Sequence, residues 1–122
     1  SEPTELFHND LRARYERGEP EVLAAMNKFA DLAAQAKQAL IDREPHRLGK
    51  LMDENFDTRR SICRLPSGQV EMIDRARSVG ASAKFAGSGG AIIGTYEDES
   101  MFRRLQTDLG SIGCKVIKPI IA

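Results

Sequence analysis

At Gly80 the hydrophobic pattern of this chain changes period, and that change limits what it can fold into. Upstream, apolar residues recur at intervals of three and four, the repeat of one helix face. Downstream they alternate in short runs broken by glycine, the repeat of strands and tight turns. The order that follows is helices, then strand, strand, helix, strand. Helices segregated from an antiparallel hairpin define an α+β domain, with the helices packed on one face of the sheet.

The spacing predicts a short amphipathic helix from Leu6 to Tyr15, with Leu6, Phe7, Leu11 and Tyr15 on one side and a stop at Gly18. Glu19-Pro20-Glu21 starts a longer helix, because Pro lacks the N–H that the first turn leaves unbonded and acids suit the positive end. Its apolar stripe reads Val22, Met26, Phe29, Ala33, Ala36 and Leu40. Glu44-Pro45 restarts the chain as a third helix with the stripe Leu48, Leu51, Met52, Asn55, Phe56, Arg59, Ile62 and Cys63. Its connection to the second helix is short, which predicts an antiparallel pair. Ser67 is an N-cap candidate for a fourth helix that carries Val70, Ile73, Ala76 and Arg77 and ends at Gly80. Strands are expected over 81–86 and 91–96, joined by Gly87-Ser88-Gly89-Gly90. Asp98 caps a fifth helix with Met101, Phe102, Leu105 and Leu109, and a last strand is expected from Cys114, with Pro119 placing its end at a sheet edge.

Composition excludes several classes. The 122 residues suffice for one domain with a modest core. Lys plus Arg and Asp plus Glu each number 18, so no domain-wide field draws in nucleic acid or an acidic membrane. No apolar run approaches the ~20 residues of a membrane span. Cys63 and Cys114 form no metal-type spacing and read as small buried thiols of a reducing, cytoplasmic compartment. The chain begins Ser1-Glu-Pro without an initiator Met, which is the expectation for a fragment.

Two stretches carry candidate chemistry. Consecutive glycines at Gly87, Gly89 and Gly90 let backbone N–H groups approach a ligand, a nest that suits phosphate, with Lys84 adding positive charge. A hairpin turn uses the same glycines for geometry alone. The stretch is not a Walker A loop, since no Gly-Lys-Ser/Thr follows, and not a dinucleotide fingerprint, since a strand follows where a helix would open. Asn55 and Arg59 share a helix face; they suit either a polar substrate or an inter-helix polar contact. Asp53, Glu54 and Asp57 read as a solvated face balanced by Arg60 and Arg64 rather than as metal ligands, and His8 and His46 are isolated.

Together the two stretches resemble the GHMP kinase class. Residues 73–91, where a helix ending in Gly80-Ala81 leads to Lys84 and the glycine turn, resemble its third motif, and Leu51-Met52-Asp53-Glu54-Asn55 resembles its "Leu-Met-x-x-Asn" helix. Within that class, Asn55-Phe56-Asp57-Thr58-Arg59-Arg60 and Ala83-Lys84-Phe85-Ala86-Gly87-Ser88-Gly89-Gly90-Ala91 are similar to the pattern of glucuronokinases. The resemblance implies a ferredoxin-like C-terminal domain over 1–122 whose first strand would precede Ser1. It implies transfer of the γ-phosphoryl group of ATP, with Mg²⁺, to a sugar or sugar-acid hydroxyl. Lys84, Gly87, Ser88, Gly89 and Gly90 would lie near the nucleotide phosphates. Asn55, Arg59 and Arg60 would line the sugar pocket, with Arg59 or Arg60 on the carboxylate.

The class's main ATP loop, of Pro-x-x-x-Gly-Leu-x-Ser-Ser-Ala type, does not occur in the 122 residues. The expectation is therefore that no catalytic or metal-binding residue lies here. The N-terminal domain would supply the catalytic residues and hold most of the ATP and Mg²⁺, and the fragment alone would be inactive and prone to pair with a second copy. Other readings are a kinase for another sugar or an isoprenoid alcohol, or a standalone ferredoxin-like ligand-binding module. RNA binding would call for a basic, aromatic sheet face, and the strands offer Phe85 and Tyr96 without net charge.

Overall fold

In the computed structural model, which describes residues 3–87 and 89–119, a helical layer leads into a small antiparallel sheet. The helices are α1 (Pro3–Glu16), α2 (Pro20–Ile41), α3 (Leu48–Ile62), α4 (Ser67–Ser78) and α5 (Glu99–Gly110), with a 3-10 turn at Pro45–Arg47. The strands are β1 (Lys84–Phe85) and β2 (Ile92–Ile93), paired antiparallel with Lys84 opposite Ile93 and Phe85 opposite Ile92. This is the α+β arrangement that the change of period predicts. No helix of the described residues is long and apolar enough to cross a membrane.

The helix boundaries follow local chemistry. Pro20 opens α2, and Gly18 before it has φ +72°. Asp98 caps α5 by accepting from the Met101 N–H at 2.8 Å. The cap of α4 is Pro66 rather than Ser67, which is the first helical residue; Pro66 has φ −59° and no side chain to bond the free N–H groups. Arg14 donates to the Ile62 carbonyl at the end of α3 and pairs with Glu19 at 3.0 Å at the start of α2. The start of α2 therefore lies beside the end of α3, the antiparallel pair expected.

The buried face of α2 differs in part from the expected stripe. Val22, Ala25, Leu32 and Ala39 are buried, with Phe29 and Ala36 half-buried between them. Ala33 is exposed, Leu40 is 59% exposed and Ile41 is 62% exposed. Two apolar stripes lie side by side on this helix, and a three-four spacing fits both. Burial picks out the stripe that runs through Ala25 and Ala39. Tyr15 is also half-exposed, and the side chains of Leu6, Phe7 and His8 lie outside the described residues.

The main core is built from Phe56, Ile73, Ala76, Ala83, Phe85, Met101, Leu105 and Leu109. Phe56 of α3 and Phe85 of β1 meet edge to face at 5.0 Å, both fully buried. The last segment, 114–119, forms no ladder, contrary to the expected strand; 120–122 lie outside the described residues. Its burial still alternates: Cys114 and Val116 pack on the core while Lys115 and Ile117 face solvent. Strand-like alternation survives there because the core needs it, while ladder bonds need a neighbouring strand edge.

Candidate functional site

α3 runs beside β1, and the two advance in step. Asp53 Oδ1 accepts from the Ala83 N–H at 2.9 Å, Phe56 meets Phe85, and Arg59 Nη1 donates to the Gly87 carbonyl at 2.6 Å. The seven helix residues 53–59 rise roughly 9 Å, and the extended chain from 83 to 86 covers about 10 Å. The match lets successive helix side chains meet successive strand residues.

The ladder explains why this edge needs covering. Ser82 donates to Thr95 at 3.2 Å and Ala86 donates to Ala91 at 2.9 Å, so even-numbered residues of this strand face β2. Ala83 and Phe85 turn their backbone groups the other way. Asp53 takes the Ala83 N–H, and Arg77 Nη2 donates to the Ala83 carbonyl at 3.3 Å. Side chains of α3 and α4 thus occupy positions that a further strand would otherwise fill.

Arg77 is the hub that the sequence reading missed. It bonds Asp57 at 2.7 Å and the Asp53 carbonyl at 3.1 Å, and its guanidinium lies 5.3 Å from the Phe56 ring centre. Its Nε stands 3.2 Å from Asp53 Oδ1, close enough for ion pairing but not aligned as a hydrogen bond. The counter-charge of Asp53 and Asp57 is therefore Arg77, not Arg60 and Arg64. Four-residue spacing points to partners on the same helix, whereas Arg77 arrives from α4. Arg60 instead faces Asp74 at 3.8 Å, beside a cleft of about 700 Å³ that also takes in Cys63.

The glycine turn is held from both sides. Gly87, Gly89 and Gly90 have φ of +72°, +133° and +87°, the left-handed region that side chains disfavour. Ser88 lies outside the described residues. Arg59 reaches the turn from the last turn of α3 and lies over the Phe85 ring at 5.2 Å. Gln69, in the first turn of α4, lies against Gly89.

Electrostatics single out Lys84. Burial, with the neighbouring Arg59 charge, holds its ammonium below the ordinary lysine value. Its side chain has no ion-pair or hydrogen-bond partner within the described residues. Burial also lowers the Arg59 value and raises that of the Cys63 thiol. Two neighbouring, half-buried cations beside a positive-φ glycine turn attract an anion. Asn55 is half-buried and makes no side-chain hydrogen bond within the described residues. The structure thus groups Lys84, Arg59 and the glycine turn, and sets Arg60 apart beside Asp74. Among the described residues no three His, Cys, Asp or Glu gather as a metal site.

Comparison with known proteins gives two relatives. The chain is 39% identical over 90 residues to "Probable glucuronokinase 2" of Arabidopsis thaliana, covering 70% of this chain and 24% of the relative. It is 37% identical over 90 residues to "Glucuronokinase 1" of the same plant, covering 70% of this chain and 25% of the relative. The chain therefore spans about a quarter of the length of the curated relatives it matches. No family model matches, and no solved structure matches. Over those 90 residues the chain is glucuronokinase-like in sequence.

Proposed function

We propose that this chain is part of an ATP-dependent sugar-acid kinase of the GHMP class, one that transfers the γ-phosphoryl group of ATP to a hydroxyl of D-glucuronate. The observation that carries the reading is the half-buried Lys84 beside Arg59, with no acid paired to Lys84, next to a turn of three positive-φ glycines. Phosphoryl transfer asks a protein chiefly for positioning and charge neutralisation, and this arrangement offers both to a polyphosphate. The likeness to two glucuronokinases supports the sugar acid as acceptor.

In this reading Lys84 and the turn from Gly87 through Ser88 to Gly90 neutralise and seat phosphate. Arg59 braces the turn through Gly87, which leaves Asn55 as the substrate contact on that helix face; Arg60, facing Asp74, stands apart. Mg²⁺ would neutralise phosphate charge; the donor set here is cationic, so the ion would arrive on the nucleotide or be held by the N-terminal domain. That domain would supply the catalytic residues, and the chain alone would not turn over. The ferredoxin-like topology, a cytoplasmic setting and pairing of the isolated chain with a second copy belong to the same proposal.

The test is an ADP-release assay with the longest protein encoded by the reading frame that contains this chain, run beside the 122-residue chain. D-glucuronate, D-glucose and mevalonate are offered as acceptors. Turnover with glucuronate by the longer protein alone is the expected result. Preference for glucose or mevalonate removes the substrate assignment, and turnover by the 122-residue chain removes the division of labour.

A further inference from the structure

Gln69 occupies the third position of α4, where a Gln side chain commonly folds back onto the N–H of the cap residue. Here the cap is Pro66, which has no N–H to offer. The carboxamide turns elsewhere, to the glycine turn. Its Oε1 lies 2.4 Å from where a Cβ on Gly89 would stand, and its Cδ lies 3.3 Å from that point. The side chain is half-buried and makes no hydrogen bond within the described residues. Its two donors and its acceptor are therefore unspent beside the backbone that the anion-site reading assigns to phosphate.

Resting on that reading, we propose that Gln69 is a positioning residue of the anion site, the neutral wall that fixes the glycine turn from the α4 side. Arg59 holds the turn by the Gly87 carbonyl, and Gln69 holds it by contact at Gly89, so the turn is gripped between two helices. The absence of charge on Gln69 is part of the role. A carboxylate of the same shape would stand against an anion seated there, whereas the amide, whose oxygen lies nearer Gly89, can turn its N–H donors to the anion by rotating about its last bond. Residue 89 is a glycine because its φ of +133° disfavours a side chain; a Cβ there would also push the carboxamide aside.

The experiment titrates the 122-residue chain and its variants with inorganic pyrophosphate by isothermal calorimetry, with thermal unfolding of each variant as a check on folding. Gln69→Glu keeps the shape and adds one negative charge; it is expected to weaken binding about tenfold at low salt. The gap from the native chain should close near ~1 M salt, where a Debye length of about 3 Å screens the repulsion. That salt dependence reads how close residue 69 stands to the bound anion, and a position remote from the site would not show it. Gln69→Ala, which removes the wall without adding charge, is expected to weaken binding about threefold at any salt. If Lys84→Met abolishes binding while both Gln69 variants bind as the native chain does, the role of Gln69 is overturned and the anion site stands. If the native chain binds no pyrophosphate, or Lys84→Met has no effect, the anion-site reading fails and the inference falls with it.

Discussion

Arg59 Nη1 donates to the carbonyl oxygen of Gly87 at 2.6 Å, a bond that spans 28 residues of sequence and ties the last turn of α3 to the glycine turn. The guanidinium also lies over Phe85, so one side chain meets both the core and the turn. Replacing it by Lys keeps the charge but loses the planar fork. Arg59→Lys is expected to speed hydrogen exchange at the Ala86 amide, which bonds the Ala91 carbonyl across the base of the turn, about tenfold, the equivalent of one hydrogen bond. Native-state exchange by NMR reads this directly, and unchanged rates would show that the bond does not hold the turn.

Arg77 joins α4 to Asp53, Asp57 and the Ala83 carbonyl. Arg77→Met leaves Asp53 and the strand edge short of a partner, and a loss of about 2–3 kcal/mol is expected in urea unfolding. Asp57 is 61% exposed, so Asp57→Asn should cost under about 1 kcal/mol. Equal costs for the two variants would mean that the hub works through its exposed arm alone.

Two glycines near the turn should respond very differently to alanine. A Cβ on Gly94 would stand 1.9 Å from the Ser82 carbonyl oxygen, inside backbone that cannot yield. Gly94→Ala is expected to cost about 2–4 kcal/mol and to open the two-stranded ladder. A Cβ on Gly87 meets nothing within 4 Å, so Gly87→Ala carries only its left-handed strain, about 1–2 kcal/mol. Chemical denaturation of both variants side by side gives the comparison.

The depressed Lys84 value makes a signed prediction. Between that lowered value and the ordinary 10.5, the unfolded chain holds a proton that the folded chain has released. Stability therefore rises with pH through this window, and the cost of the buried charge is fully present below it. Lys84→Met should remove that rise in a series of urea midpoints taken across alkaline pH. Pyrophosphate affinity should fall over the same window, as the ammonium that attracts the anion is lost, and so at lower pH than for a solvent-exposed lysine.

Most of the secondary structure was legible because it depends on neighbours in sequence. Pro20, Pro45 and Asp98 mark helix starts, Gly18 and Gly80 mark stops, and both glycine positions adopt positive φ. The hairpin over 81–96 was legible for the same reason, since alternating residues around a glycine run have few other solutions. α2 shows where this reasoning ends. Leu40 and Ala33 satisfy the helical repeat as well as Leu32 and Ala39, yet only the second pair is buried. A period selects a set of faces, and the partner helix selects one of them.

The sequence by itself determined the α+β order, the position of the glycine turn, and the placing of Asn55, Arg59 and Arg60 on one helix and of Lys84 on the strand before the turn. Only the tertiary structure decided their roles. It bonds Arg59 to Gly87, points Arg60 at Asp74, leaves Lys84 without an acid, and brings Arg77 and Gln69 from α4 to β1 and its turn. The physical reason is reach. Propensity and capping act over a few residues, while a long side chain on one helix finds its partner according to how the helices and strands pack.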